Sequence, residues 1–376
     1  MPPVHDADVG TADRLRRDDL GTPSLLLDLD VFEANLHRMA DLVRRSGRSL
    51  RPHVKSHKCS AIAKRQIEAG AIGVCCATLD EAEVMAEHGV TGLLITSPLT
   101  TAVKLRRLIA LVKRSPDTIV VIDNPVNAAA IAALAEAQGI VVRALVDVDI
   151  GFGRTGVTGV EALLALARYI AQSPALHLMG IQAYGGHLQH IGPLDERTRA
   201  SAQPLAYIAR LIDALSAAGL PPQIVSGGGT GTHRIDLDAG VFTEIQAGSY
   251  VFMDAEYLAI AQPDVTFAAA LFVQTAVVSC NLAGQVTTDA GTKAFALNGP
   301  PPQIVRPVLA DAAYRCSGDE HGRVTLAPGA RAPALADRLE CIVPHCDPTV
   351  ALYDRIHCVR GDAVVAVWNI DARGRR

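Results

Sequence analysis

Between residues 50 and 248 the chain repeats one unit: a short apolar run, then an Ala/Leu-rich stretch of helical length. The apolar runs fall at 50–54, 72–78, 93–97, 119–123, 144–149, 178–184, 223–227 and 244–248. The stretches between them, such as 59–69, 79–87 and 126–138, space their apolar residues with a helical period. Strands alternating with helices dictate a parallel sheet. Eight units within about 200 residues fit closure into a barrel better than an open doubly wound sheet. No G-x-G-x-x-G string follows the first strand, which argues against a dinucleotide fold. The expected fold class is α/β: a (β/α)8 TIM barrel over residues 30–255, with a second, β-rich domain.

That second domain begins where the texture changes. Val/Thr-rich runs at 267–278, 285–288, 304–309, 339–343 and 362–368 are broken by Gly and Pro, so residues 256–376 read as β-rich. A strand at 24–28 and a helical pattern over 31–45 precede the first barrel strand. Residues 1–29 are therefore expected to join the second domain. A chain that is 49% hydrophobic and 20% charged can fill two cores. Its net charge of −4 and lack of a basic stripe argue against nucleic acid and anionic membranes as partners. Residues 1–20 are polar and lack the apolar core of a signal peptide, and no apolar stretch has transmembrane length. Eight scattered cysteines without a secretion signal read as reduced thiols of a cytoplasmic protein, with Cys75 and Cys76 as packing residues.

In such a barrel, reactive groups cluster at the C-terminal ends of the strands, and phosphate sits at the loops after strands seven and eight. Lys55 ends the first run. A lysine there can bond covalently to an aldehyde cofactor, of which pyridoxal phosphate is the usual one. Lys58 competes for that role, but falls where the next helix starts and is expected to face solvent. After strand five, Asp149-Ile150-Gly151-Phe152-Gly153-Arg154 carries glycines that let Arg154 turn inward. Tyr184, Gln189 and His190 follow strand six. Ser226-Gly227-Gly228-Gly229-Thr230 follows strand seven, and Gly248-Ser249-Tyr250 follows strand eight. Both glycine turns suit phosphate, through converging backbone N–H groups and hydroxyls.

His345 and Asp347 stand two apart, so an extended segment would turn both to one face and Cys346 away. Imidazole plus carboxylate suits a hard divalent ion that keeps open positions, Mn²⁺ first and Mg²⁺ next. Of the histidines His57, His187, His190 and His321, His57 is the preferred contact to substrate or a metal-bound water, being two residues beyond Lys55.

Taken together, Arg51-Pro52-His53-Val54-Lys55-Ser56-His57-Lys58, Asp149-x-Gly151-x-x-Arg154-x-Gly156 and the glycine loop resemble the alanine-racemase-type (fold type III) pyridoxal phosphate barrels. Within them, Tyr184-x-Gly186-x-x-Gln189-His190, Gln246-Ala247-Gly248-Ser249-Tyr250-x-Phe252-Met253-Asp254, Asp319-Glu320-His321-Gly322 and Pro344-His345-Cys346-Asp347-Pro348-Thr349 are similar to the D-threonine aldolases. The resemblance runs from about Thr22 to Gly374. It implies covalent pyridoxal phosphate at Lys55, with Arg154 near its phenolate oxygen and Tyr184 along its ring. The phosphate would lie in the two glycine loops. The related D-serine dehydratases carry H-x-Cys, a softer pair better suited to zinc; Asp347 favours the aldolase branch. One departure is Ala77, where some members carry Gln. The implied activity is metal-dependent retro-aldol cleavage of D-β-hydroxy-α-amino acids, with His57 or a metal-bound hydroxide as base, in a homodimer. The alternatives are a D-serine or 3-hydroxyaspartate dehydratase, a 3-hydroxyaspartate aldolase, a racemase and a non-catalytic pyridoxal phosphate carrier.

Overall fold

The computed structural model describes residues 15–260 and 267–375, so most of the stretch expected to be polar at residues 1–20 lies outside them. Eight strands form the first sheet: Ser49–Leu50, Val74–Cys76, Leu93–Ile95, Ile119–Ile122, Val142–Asp147, Leu176–Ala183, Ile224–Gly227 and Glu244–Ile245. All pairings are parallel, and from the second strand onward each pairs with the next in sequence. The eighth pairs back to the first. The ring closes between the first and second strands through a bridge from His53 to Cys75. Ile72 N–H also donates to Leu50 O, and Cys75 N–H to Pro52 O, each at 2.9 Å. This is the expected TIM barrel.

The barrel strands are apolar on both faces for a physical reason. Cys75, Leu94, Ile119, Val121 and Leu145 form a small cluster of their own, while their strand neighbours join the larger core with the helices. Leu29–Arg45 shows how the helices attach: Asp28 accepts the Val31 N–H, and Leu29, Phe32, Leu36, Met39 and Val43 make one buried stripe. Among the described residues, no helix is long and apolar enough to cross a membrane.

The first barrel strand is shorter than expected. The regular strand ends at Leu50, although Arg51 N–H still donates to Ile245 O at 3.0 Å and His53 N–H to Ala247 O at 3.3 Å, and Val54–Ser56 then forms a 3₁₀ turn. Pro52 has no N–H to give a ladder, and the His53 side chain accepts the Lys55 N–H at 3.3 Å. Lys55 therefore rides on a capped turn, not a strand end.

The second sheet has nine strands. Ser24–Asp28 sits in it, as expected, antiparallel to Leu271–Ser279 and parallel to Arg355–Arg360. Gln285–Thr288, Gln303–Arg306, Arg338–Ile342 and Ala363–Asn369 match expected runs within a few residues. Ala313–Cys316, Gly322–Thr325 and Arg355–Arg360 were not expected. The first buries only Tyr314 and the second only Gly322 and Val324, too few for a visible pattern.

A polar network occupies the barrel. The Arg51 guanidinium donates to both Glu244 oxygens, at 2.9 and 3.0 Å, with both side chains about 95% buried. Ser226 Oγ donates to the same carboxylate, and Gln246 links Ser226 to Gln182. Arg51→Met leaves Glu244 buried without its cation and should destabilise the protein by about 3–5 kcal/mol. The double change Arg51→Met with Glu244→Met should recover most of that loss in thermal unfolding. Equal unfolding midpoints for the single variant and the wild type would show the pair to be dispensable.

Candidate functional site

Lys55 leaves its 3₁₀ turn towards the second sheet, where its Nζ pairs with Asp347 Oδ1. Asp347 lies in the short helix Cys346–Val350, which follows the strand Arg338–Ile342. His345 Nε2 stands 3.5 Å from Asp347 Oδ2. The imidazole and carboxylate therefore converge as expected, but not on an extended segment. His345 is extended, and the helix begins directly after it. Thr349 Oγ1 donates back to His345 O at 2.7 Å, and Asp254 accepts the Cys346 N–H at 2.8 Å, which together wind the turn.

Electrostatics follow from this contact. Burial works to raise the Asp347 pKa, but the Lys55 ammonium and His345 hold it far below the usual carboxylate range. Burial works to lower the Lys55 pKa, and Asp347 with Tyr184 more than reverses that. Burial also opposes a charge on His345, yet Asp347 holds its pKa above the ordinary value.

Several expected site residues are placed differently from the sequence reading. Lys58 does not face solvent; its Nζ pairs with Glu81, whose side chain is 1% exposed. The backbone there is left-handed, with φ +51, which directs the chain inward. His57 is fully buried, with Nδ1 accepting the Cys59 N–H at 3.1 Å and Nε2 against Gln66 Oε1 at 3.3 Å. Burial pulls its pKa down to about 4. Both ring nitrogens are committed to scaffold, so His57 is not placed to act as the base. The Ser226 hydroxyl belongs to the Glu244 network and not to a phosphate. The Tyr250 ring is buried against Phe267, with its hydroxyl 3.4 Å from Gln66 Nε2, so any contribution from Tyr250 comes from its backbone.

The glycine loops do form a cradle. A Cβ on Gly228 would stand 2.6 Å from Asp236 Oδ2, and one on Gly229 would strike the Gln189 amide. A Cβ on Gly248 would lie 2.8 Å from His53 O. Gly228 also has φ +70. Thr230 and Ser249 are both buried, and Thr230 Oγ1 has no hydrogen-bond partner. A backbone-walled cradle beside an orphaned hydroxyl fits a phosphate. With Lys55 for the aldehyde end, the residues fit pyridoxal phosphate.

Arg154 stacks its guanidinium over Phe152, at 5.0 Å, and over Tyr184, at 5.5 Å. The Asp149 carboxylate gathers the loop by accepting N–H groups from Gly151, Phe152 and Gly153. Tyr184 is thus held between Lys55 and Arg154, and burial raises its phenol pKa.

The sequence reading passed over Glu256. Its carboxylate lies 3.3 Å from His190 Nδ1 and 3.8 Å from His345 Nδ1, and Tyr257 packs on the His190 ring at 4.8 Å. His190 is thereby the histidine brought beside His345 and Asp347. Burial lowers its pKa, against the opposing pull of the Glu256 carboxylate. His187 stacks on Phe152 instead, and His321 lies exposed in a hairpin turn. No motif spacing marks Glu256; only the return of the chain after the eighth strand brings it there. Among the described residues no three His, Cys, Asp or Glu side chains form a closed metal shell. An imidazole and a carboxylate alone fit an ion that keeps open positions.

Comparison with known proteins agrees with this geometry. Residues 27–256 match the family model "Alanine racemase, N-terminal domain", and residues 270–359 match "Putative serine dehydratase domain". The chain is 38% identical to a D-threonine aldolase of an Arthrobacter species, over 94% of this chain and 93% of that protein. It is 35% identical to a 3-hydroxy-D-aspartate aldolase of Paracoccus denitrificans, over 95% and 93%. The crystal structure of a D-threonine aldolase from Filomicrobium marinum superposes with a TM-score of 0.91 at 37% identity, covering 96% of this chain and 97% of that one.

Lys55 must shed its proton before its amine can attack an aldehyde, and its raised pKa keeps it charged at neutral pH. Loading of the apoprotein with pyridoxal phosphate, followed by visible absorbance, should therefore accelerate as pH rises. Asp347→Asn removes the main group that raises this pKa, and should load roughly tenfold faster at pH 7, the effect of one pKa unit. A rate unaffected by the substitution would show that the ion pair does not control attachment.

Proposed function

The chain belongs to the D-threonine aldolase branch of the alanine-racemase-type, pyridoxal-phosphate-dependent family, and from that premise we propose that it is a lyase cleaving D-β-hydroxy-α-amino acids, D-threonine to glycine and acetaldehyde. The observation that carries this reading is the meeting of Lys55 with His345 and Asp347. A racemase has no use for such a pair, and a carrier protein needs neither the pair nor the second sheet.

Lys55, Arg154, Tyr184, Gly228, Gly229, Thr230, Gly248 and Ser249, with the Tyr250 backbone, are the residues that hold the cofactor in this reading. Pyridoxal phosphate, when bound, supplies an electron sink for the pair released by the breaking Cα–Cβ bond. A divalent ion at His345 and Asp347, Mn²⁺ in preference to Mg²⁺ or Zn²⁺, supplies Lewis acidity at the β-hydroxyl. His190 turns Nδ1 to Glu256, which leaves Nε2 to take the β-hydroxyl proton. Tyr184 and Arg154 orient the ring end of the site. Lys55 stands where it can return a proton to Cα as glycine departs. A homodimer follows from the family resemblance. Eight unpaired cysteines support a reducing, cytoplasmic setting.

Two variants of the reading remain distinct in outcome. The relative from Paracoccus denitrificans raises a β-carboxylate substrate, and the second family model raises dehydration. Incubation with D-threonine, pyridoxal phosphate and Mn²⁺ should yield glycine and acetaldehyde; 2-oxobutyrate in their place would identify a dehydratase. EDTA should abolish cleavage while the visible cofactor band stays. Asp347→Ala should lower kcat by roughly 10²-fold or more, the scale for losing a positioned catalytic group. Full cleavage in metal-free protein would remove the metal from the mechanism.

A further inference from the structure

Asp254 lies on the segment that leaves the eighth barrel strand, and none of it reaches solvent. Both carboxylate oxygens are used. Oδ1 accepts the Tyr257 N–H at 2.9 Å and caps the short helix Ala255–Leu258. Oδ2 crosses to the second sheet's side of the site and accepts the Cys346 N–H at 2.8 Å. Cys346 is the residue between His345 and Asp347. Beside this bond runs another, from Ala255 N–H to Val343 O at 3.0 Å. Two hydrogen bonds thus fasten one short barrel segment to the loop that carries the metal pair. The residue before Asp254, Met253, has φ +48. A left-handed backbone at a non-glycine position is uncommon and persists only where its surroundings enforce it.

We propose that Asp254 is the positioning residue of the metal pair. By accepting the Cys346 N–H it fixes the backbone between His345 and Asp347, so that imidazole and carboxylate converge on one point. The proposal rests on the reading of His345 and Asp347 as metal ligands. Asp254 touches neither substrate nor cofactor; it acts through the Cys346 amide. The position demands a carboxylate because both partners are N–H donors, so both oxygens must accept. An asparagine would turn an NH₂ donor towards one of them. A metal ligand whose support is lost costs affinity more than fold.

Two variants test this in the pyridoxal-phosphate-loaded protein. Asp254→Asn keeps shape and loses one acceptor. Asp254→Ser keeps a helix-capping hydroxyl for Tyr257 but is too short to reach Cys346. Mn²⁺ titration followed by electron paramagnetic resonance should show the Kd rising about 10–100-fold in both, with the cofactor Kd within about twofold of wild type. Saturating Mn²⁺ should restore kcat for D-threonine in both variants. Unchanged Mn²⁺ affinity in either variant overturns the proposal. So does a parallel loss of cofactor and Mn²⁺ binding, or loss of the folded, cofactor-binding protein in both, since each marks a general structural role. If the wild type itself shows no saturable Mn²⁺ binding, the metal reading fails, and the role of Asp254 with it.

Discussion

The contact between Lys55 and Asp347 governs the rest of the site, because each group sets the chemistry of the other. Asp347 stays ionised despite burial because an ammonium faces it, and Lys55 stays charged because a carboxylate faces it. The two charges come from different sheets, so neither sheet alone can present this site. The coupling is reciprocal. Whatever engages the Lys55 amine releases Asp347 for another cation, and whatever cation takes Asp347 lowers the pKa of Lys55. In the proposed reading, cofactor attachment and metal binding would therefore favour one another through a shared carboxylate, without any change in fold.

That pair is useful only if its two supports are stiff. On the barrel side, Lys55 hangs from a turn capped by His53, whose Nε2 lies 3.1 Å from Thr96 Oγ1. Beneath it the Arg51–Glu244 pair ties the end of the first strand to the eighth. On the other side, the helix carrying Asp347 is too short to hold itself. A helix of five residues is far below the length at which isolated helices persist. Its order comes from bonds made to it by Asp254 and Thr349. The Asp254 oxygens and the Thr349 hydroxyl that hold this helix are already satisfied by protein, so this part of the site can be both polar and rigid.

The barrel was legible in the sequence because its strands are largely buried on both faces and most crossover helices, such as Ala102–Arg114 and Val160–Gln172, carry an apolar stripe. Motifs singled out Lys55, Arg154, Tyr184, the Gly228–Thr230 loop and the His345–Asp347 pair, and the fold brings Lys55, His345 and Asp347 together. The errors have a common cause. Periodicity says which face a residue takes in an element, but the turns after the strands do not obey it. The 3₁₀ turn at Val54–Ser56 took Lys55 off the strand, and the left-handed backbone of Lys58 directed that side chain to Glu81. His57 and Ser226 carry suitable chemistry at suitable spacing, yet their hydrogen bonds were already taken by Gln66, Cys59 and Glu244. Glu256 was missed for the opposite reason: it meets His190, 66 positions away, only through the closure of the barrel. Short hairpin strands of the second sheet escaped notice because each buries so few residues.

A division of labour follows from where these groups reside. The barrel supplies the lysine and the phosphate cradle, parts that any reaction of this cofactor at Cα needs. What distinguishes one reaction from another is what grips the substituent at Cβ, and those groups come from the second sheet's side of the site and from the barrel loop that carries His190. In the proposed reading His345 and Asp347 would hold a hydroxyl through an ion and His190 would take its proton, whereas Lys55 alone could only exchange the proton on Cα. The energy that decides which bond breaks is therefore set at a joint between two sheets. A shift of a few tenths of an ångström at that joint changes a ligand's aim without disturbing the barrel. Selection for a different reaction could act there, on the loop from Val343 to Thr349 and its anchor, while the cofactor site stays as it is.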